Sequence, residues 1–185
     1  KYRSLGFLKN KILYENIVDL QDKEFPFLFR QLKTNEIEKY YSDYMKYLKK
    51  KYDVYYDYDF QLFQDFFVNK SKIRNYCIYD KDKILDYISI EVVLNKDPNE
   101  NIITTGKLFA YTNTTVEIET ILDYFTVICY RLGMDSSMYE NYGEMNKIQN
   151  PPLGYIFTSK VHMYLQNCKL KNKIPVDKIC ISYYY

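Results

Sequence analysis

The chain has 185 residues, which is enough for one domain with a sizeable core, and its 26 basic and 24 acidic side chains leave a formal charge of +2. This balance does not indicate a nucleic-acid groove, and no apolar run approaches the roughly 20 residues that span a bilayer. Four scattered cysteines without a CxxC pair, beside one histidine, argue against a zinc site and suit a reducing compartment. Because no signal peptide is visible, we expect a cytoplasmic protein. We also expect a monomer that binds neither metal nor nucleic acid.

The first third of the chain predicts one strand and two helices. Residues 25–32 predict a short strand, and Thr34 follows in a position to cap the first helix. A second, shorter helix is predicted over residues 59–67. The residues expected on the apolar faces of these helices are Ile37, Tyr41, Tyr44 and Leu48 in the first, and Phe60, Phe63 and Phe67 in the second.

The middle of the chain predicts a meander of strands followed by a long helix. Strands are expected over residues 75–79 and 84–94 with a tight polar turn between them, and a surface loop then leads to a strand over 107–111. Thr114 and Glu117 form a capping-box pattern, and Gly133 ends the helix. The expected buried stripe of this helix is Ile118, Ile121, Leu122, Phe125, Cys129 and Leu132.

The last part of the chain predicts three strands, of which the final one is unusual. Two are expected near residues 155–157 and 161–166, and the third occupies the ending, residues 179–185, which carries no charged side chain. Such a composition is typical of a strand held inside the protein and not of a fraying terminus. It would place the α-carboxylate of Tyr185 beside a pocket or core, where it must be hydrogen-bonded, paired or functional. Helices interleaved with a mostly antiparallel meander predict an α/β (α+β) sandwich as one domain over residues 1–185.

Tyrosine and lysine are both clustered, and each pattern leaves two interpretations open. The 23 tyrosines, beside no tryptophan, either take core positions that Phe and Leu fill elsewhere, which we favour, or form a stacking surface in the run at residues 52–58. The Lys-rich stretches at residues 49–51 and 169–173 are either solvated surface, which we favour, or contacts to phosphate or a membrane surface.

Side chains alone do not supply a catalytic set. The sequence contains no GxGxxG, P-loop or GxSxG pattern. His162 lies in an apolar strand pattern, where packing is favoured over work as a general base. Asp135 and Glu140 flank a pair of serines, and a solvated loop is favoured there over a carboxylate pair.

Short motifs along the chain resemble those of one enzyme family, in the same order and at nearly the same spacing. Residues 2–5 (YRSL) are similar to the family's "HRSLN", residues 29–33 (FRQLK) to "LRPM", and residues 85–90 (LDYISI) to "VTDFLSFY". Further on, residues 133–135 (GMD) are similar to "GFD", and residues 164–169 (YLQNCK) to "YYLYNWK". The family is that of the N-myristoyltransferases, and the matches fall in its C-terminal half.

This resemblance implies an acyl-CoA N-acyltransferase-like (GNAT-like) fold, one of two acetyltransferase-like halves that together make such an enzyme. It implies transfer of myristoyl from myristoyl-CoA, a co-substrate and not a bound cofactor, to the N-terminal glycine amine of proteins. The N-terminal half of the enzyme would carry most of the myristoyl-CoA site, while this half would shape the peptide groove. In that family the terminal carboxylate, here on Tyr185, takes the proton from the amine. The peptide-binding residues implied are Tyr2, Leu108, Phe109, Tyr111, Thr158, Ser159 and Tyr184.

Three positions depart from the family's pattern. Tyr2 stands where the family has histidine, Leu108 where it has a groove serine, and residues 157–159 where it has the turn "GDG". Two alternatives therefore stay open. One is a non-catalytic relative that keeps the fold as a binding module; the other is a plain acetyltransferase-like domain using acetyl-CoA, against which the lack of a Gly-rich pyrophosphate loop argues. This chain alone is not expected to turn over.

Overall fold

The computed structural model describes residues 24–96, 99–140, 145, 148 and 174–180, and the elements named below belong to this part. Single 3₁₀ turns, Thr34–Glu36 and Val176–Lys178, precede the first helix and the last strand. In chain order the elements are β1 (Leu28–Gln31), α1 (Ile37–Lys51), β2 (Val54–Tyr55), α2 (Phe60–Phe67), β3 (Ile73–Asp80), β4 (Lys83–Lys96), β5 (Ile102–Tyr111), α3 (Ile118–Arg131), β6 (Ser136–Met138) and β7 (Ile179–Cys180).

Five of these strands form one sheet in the order β1-β3-β4-β5-β6, and β2 and β7 form a separate parallel pair. Within the five-stranded sheet, β1, β3, β4 and β5 are antiparallel neighbours, whereas β5 and β6 run parallel. A parallel pair needs a crossover connection, and α3 provides it. The predicted class, a mixed and mostly antiparallel sheet flanked by helices, is confirmed.

The hairpin between β3 and β4 shows how local sequence sets the register. Asp80 pairs with Lys83, and between them Lys81 takes the positive φ of 53° that a two-residue hairpin turn requires. The predicted polar turn is therefore confirmed. The strands are longer than expected, because β4 and β5 remain paired as far as Lys96 and Ile102 and so shorten the predicted loop.

Both predicted helices of the first half form, with one correction at the start of α1. Thr34 does not cap α1 but begins the preceding 3₁₀ turn, and Glu36 stands at the helix start. The cap prediction is wrong because the Glu36 carboxylate reaches back to accept the backbone N–H of Lys33 at 2.9 Å. The second helix begins as predicted after Asp59, whose side chain accepts the N–H of Leu62 at 2.7 Å.

Helices cover both faces of the five-stranded sheet, and each face has its own core. Successive strand residues point to opposite faces. Ile78 and Ile88 accordingly join the cluster against α3, while their neighbours Cys77 and Tyr87 join the cluster formed with α1 and α2. The sheet is thus the middle layer of a sandwich.

Tyrosines fill much of the core on the side of α1 and α2. Tyr40 stacks on Tyr87 with ring centroids 4.4 Å apart, and the Tyr40 hydroxyl is 2.7 Å from Ser89 Oγ. Tyr52 and Tyr58 belong to the run at residues 52–58, for which a stacking surface was the alternative interpretation, and both are also buried. For these residues the packing interpretation is confirmed. A tyrosine hydroxyl that lies in the core needs a polar partner there.

The third helix, α3, is buried over most of its surface and ends where expected. The predicted stripe is buried except for Leu132, which is 41% exposed because it follows the last helical turn. Gly133 has φ +70° and ends the helix, as predicted. The capping box is wrong: the Glu117 side chain caps nothing, and the Thr114 hydroxyl donates to Asp86 at 2.9 Å.

Strand β5 passes so close to α3 that a side chain does not fit at Gly106. A Cβ placed there would overlap the sulfur atoms of Cys129 and Met134. The close approach therefore sets the distance between β5 and α3.

Several predictions lie outside the described residues. These are the strands at residues 155–157 and 161–166, His162, and the Lys-rich stretch at 169–173. Of the apolar ending, only Ile179–Cys180 is described, and it forms β7 alongside β2.

Candidate functional site

The parallel strands β5 and β6 pair over three residues and then part. Thr105 lies opposite Ser136 and Lys107 opposite Met138, after which β5 continues through residues 108–111 without β6. Openings at the carboxyl ends of neighbouring parallel strands are common ligand sites in α/β proteins. The parting of β5 and β6 is therefore the candidate site of this chain.

A buried ion pair stands where the two strands part. Lys107 Nζ lies 2.6 Å from Glu140 Oε1, and the two side chains are only 9% and 19% exposed. The other carboxylate oxygen, Glu140 Oε2, is buried and has no hydrogen-bond partner among the described residues. An unsatisfied buried acceptor costs about 1–3 kcal/mol, so a donor supplied by a ligand would be stabilised there.

The flanking acid, Asp135, has a structural role instead. Its carboxylate accepts the N–H of Thr104 at 2.8 Å, and its own N–H donates to the Thr104 carbonyl at 2.9 Å. These bonds fasten β6 to β5. The interpretation of residues 135–140 as a solvated loop is wrong, because three of the intervening residues form β6 and Glu140 is paired with Lys107.

A bulge in β5 sets the directions of the three site residues predicted on that strand. Leu108 and Ala110 pair with successive residues of β4, which leaves Phe109 as the extra residue. Leu108 is buried in the cluster against α3, while Phe109 packs on Phe67 of α2 with ring centroids 5.1 Å apart. The bulge returns Tyr111 to the face of Leu108. The role of these residues in binding a peptide stays a prediction.

Tyr111 carries a buried hydroxyl with no hydrogen-bond partner in the described structure. Two other phenols lie beside it, with the Tyr47 hydroxyl 3.1 Å from that of Tyr52. Burial raises the pKa of Tyr111 well above its ordinary value, and the nearby Tyr52, Tyr47 and Cys180 raise it further. Tyr111 is therefore a neutral phenol at physiological pH.

The thiol of Cys180, on β7, borders the same group of tyrosines. Burial raises its pKa to about 12, so it is a thiol and not a nucleophilic thiolate. The start of the C-terminal strand thus lies next to Tyr111, in apolar surroundings.

The loop between β5 and α3 is organised by a single carboxylate, that of Asp86 on β4. Asp86 is fully buried and accepts five hydrogen bonds. Three come from the backbone N–H groups of Thr114, Thr115 and Val116 at 2.7, 2.9 and 2.8 Å. The other two come from the hydroxyls of Thr112 and Thr114 at 2.7 and 2.9 Å.

Sequence reasoning missed Asp86, although a signal was present. It is the one acidic residue inside the apolar run 84–90, and a buried carboxylate in a strand requires donors. The run of Thr112 to Val116, with polar side chains before a helix, is where those donors lie. Nothing local links the two segments.

Five of the predicted site residues lie outside the described part of the chain: Tyr2, Thr158, Ser159, Tyr184 and Tyr185. Within that part, no group of three or more His, Cys, Asp or Glu side chains could hold a metal ion. Its helices also include none with the length and apolar character needed to cross a membrane.

Comparison of the whole fold with solved structures identifies its type. A GNAT family acetyltransferase of Staphylococcus aureus matches 76% of this chain and 99% of its own, with a TM-score of 0.53 and 11% identity. An acetyltransferase of Clostridium acetobutylicum, solved with acetyl-CoA, matches 72% of this chain and 96% of its own, with a TM-score of 0.52 and 11% identity. The chain has the GNAT fold.

The GNAT fold is shared with one protein of the family that the motifs resemble. The N-myristoyltransferase of Saccharomyces cerevisiae, solved with myristoyl-CoA and inhibitors, matches with a TM-score of 0.51 and 14% identity. The match covers 65% of this chain but 35% of the yeast enzyme, so the chain spans about a third of that relative. No protein-family model and no curated protein matches the sequence. At these identities the likeness establishes the fold alone.

Proposed function

We propose that this chain is the acceptor-binding half of an N-acyltransferase that moves an acyl group, myristoyl in our assignment, from acyl-CoA to the N-terminal glycine amine of a protein. The observation that carries the proposal is the opening between β5 and β6, where one Glu140 oxygen has no hydrogen-bond partner among the described residues. The ordered motif matches to the C-terminal half of N-myristoyltransferases support the acceptor and the acyl group. The match to about a third of the yeast enzyme supports a role as one part of a larger protein.

The reaction sets clear demands on the acceptor side. An ammonium is not a nucleophile, so the glycine amine must give a proton to a base before it attacks the thioester carbonyl. The new C–N bond forms as the C–S bond breaks, and the second amine proton leaves while CoA departs as its thiol. A carboxylate that holds the ammonium, and a base that accepts its proton, are therefore both needed.

Glu140 fits the first of these roles. Its Oε1 is held by Lys107, while Oε2, which has no partner in the described part of the chain, can accept a hydrogen bond from an ammonium. The charge-assisted bond would offset the cost of the unsatisfied acceptor. The base in the proposal is the terminal carboxylate of Tyr185, which remains a prediction because that residue lies outside the described part.

The test uses the complete protein that contains this chain, with myristoyl-CoA and a Gly-initiated peptide. Glu140→Gln keeps the shape but removes the charge, and we expect the KM for the peptide to rise about 10- to 100-fold, as for loss of a hydrogen bond to a charged group. The matched control is Glu100→Gln, because Glu100 is 83% exposed. An unchanged KM in Glu140→Gln would refute the role of Glu140.

A second variant tests the base. Two residues added after Tyr185 displace the carboxylate, so we expect kcat to collapse while peptide binding persists. Full activity of the extended protein would exclude the terminal-base mechanism. Acyl transfer by this chain alone would contradict its assignment as the acceptor half.

The alternative function is a peptide-binding module without acyl transfer, and one observation favours it. Leu108, which stands where the related family has a groove serine, is buried against α3 and offers no hydroxyl to a peptide. A complete protein that binds a Gly-initiated peptide, measured by calorimetry, but never releases CoA from myristoyl-CoA would establish this alternative.

A further inference from the structure

The GNAT fold implies an acyl-CoA, and the start of α3 is where the fold offers a place for its phosphates. The helix has 14 residues and follows directly from the carboxyl end of β5, inside the parallel β5–α3–β6 unit. The first N–H groups of a helix have no partner within the helix, and they attract phosphate. The fold alone would therefore assign the diphosphate of CoA to the loop over residues 112–117, which leads into α3.

The loop that leads into α3 does not fit a diphosphate, because an internal anion already occupies three of its backbone amides. The N–H groups of Thr114, Thr115 and Val116 all point at the two oxygens of Asp86, at 2.7–2.9 Å. A carboxylate with three convergent backbone amides is the arrangement that a bound phosphate would adopt. Here the chain supplies the anion from its neighbouring strand.

The loop is also fastened to β4 on both sides of Asp86. The Thr112 backbone N–H donates to the Tyr87 carbonyl at 3.0 Å, and the Tyr87 N–H donates to the Thr112 hydroxyl at 3.0 Å. The Thr114 hydroxyl, which donates to Asp86, also lies 3.0 Å from the Leu85 carbonyl. Displacing Asp86 from the amides would therefore break contacts on a buried strand, not merely rotate one side chain.

Charge acts in the same direction as geometry. The loop over residues 112–117 contains neither glycine nor a basic side chain, and Glu117 and Glu119 add exposed carboxylates at the start of α3. A diphosphate brought to this loop would meet the Asp86 carboxylate, with Glu117 and Glu119 adding two more negative charges at the start of α3 and no Lys or Arg in the loop to offset them.

We infer that Asp86 closes the loop before α3 to the diphosphate of CoA. The domain keeps the GNAT framework, but three amides of the loop before α3 bind its own carboxylate. Resting on the proposed function, it follows that the acyl-CoA consumed at the β5–β6 opening is held by a different domain of the complete protein, and that this chain contributes the acceptor side only.

The test follows the backbone amide resonances of residues 114–116 by NMR while inorganic pyrophosphate, and then CoA, is added to the complete protein. In the unmodified protein we expect no saturable shift at these amides with either compound. Saturable shifts there would overturn the inference directly. This arm needs no variant, so it stands even if substitution of Asp86 prevents folding.

A variant tests whether Asp86 is the cause of closure. Asp86→Ala exposes the three amides, and we expect pyrophosphate to produce saturable shifts at residues 114–116 that the unmodified protein lacks. The control is Asp80→Ala, an exposed acid in the same hairpin, which should behave as the unmodified protein. A folded Asp86→Ala protein that gives no shift would refute the closing role.

The outcomes separate this inference from the proposed function. Acyl transfer by the complete protein together with pyrophosphate shifts at residues 114–116 would keep the function and overturn the closure. If the amides of residues 114–116 do not shift and the complete protein does not transfer an acyl group, the inference about Asp86 stands and the proposed function is refuted.

Discussion

Substitution of Asp86 by alanine should destabilise the protein strongly, because it removes the acceptor that organises the start of α3. The Val116 amide and the Thr112 hydroxyl are buried and would be left without the carboxylate. Each such orphan costs about 1–3 kcal/mol. Thr114 and Thr115 are exposed residues, so water can replace the carboxylate at their amides at little cost. The expected loss is therefore about 2–6 kcal/mol in the free energy of unfolding.

Urea unfolding at neutral pH measures this loss as a shift of the midpoint at constant m-value. Asp86→Asn should lose roughly half as much, because one oxygen remains an acceptor while the new NH₂ group opposes the amides. Asp80→Ala, on the exposed end of β3, serves as the control and should change stability by less than about 0.5 kcal/mol. A loss below about 1 kcal/mol in Asp86→Ala would refute the reasoning, since the orphaned groups would then have found other acceptors.

Three further substitutions test separate parts of the fold. Gly106→Ala should cost about 1–3 kcal/mol in a thermal or urea melt, because its Cβ would overlap the Cys129 sulfur; an unchanged melt would show that α3 can shift away. The Arg30 guanidinium lowers the Glu36 pKa to about 2 from 4.5, so its stabilisation is present above pH 4.5 and is lost as the pH falls towards about 2. Glu36→Gln should therefore be less stable than the unmodified protein by about 1 kcal/mol at neutral pH, after allowing for partial exposure, and this difference should shrink as the pH falls through about 2; a difference that stays the same at both pH values would contradict the ion pair. Tyr111→Phe removes a hydroxyl that has no hydrogen-bond partner among the described residues, so it should be neutral or stabilise by up to about 1 kcal/mol, and a loss of more than about 1 kcal/mol in urea unfolding would show that the hydroxyl is hydrogen-bonded.

The elements that could be predicted are those set by local periodicity. The apolar spacing of α2, the turn beside Lys81 and the end of α3 at Gly133 all depend on neighbouring residues, and the structure confirms them. Both capping predictions were wrong because an acidic side chain outside the predicted cap made the competing hydrogen bond. Glu36 replaced Thr34 before α1, and Asp86 took the Thr114 hydroxyl before α3.

The candidate site was less predictable because its residues meet through contacts between segments that are distant in the sequence. Glu140 was interpreted as solvated because nothing near it in sequence indicates burial, whereas its partner Lys107 lies on a different strand. The bulge at Phe109, which directs Tyr111 towards α3, depends on the register of β4 against β5. Register is a property of two paired strands, and one strand's sequence does not reveal it.

The sequence by itself determined the class of the fold, since alternating strands, an amphipathic pattern in each helix and a tight polar turn leave few architectures open. Only the tertiary structure decided which group binds the backbone amides of the loop before α3. Asp86 and the amides that it binds are 28 to 30 residues apart along the chain. They meet because β4 and β5 pair side by side and place the loop after β5 against the strand that carries Asp86. A carboxylate that looks like an isolated polar residue in an apolar strand thereby becomes the internal anion of the loop that leads into α3.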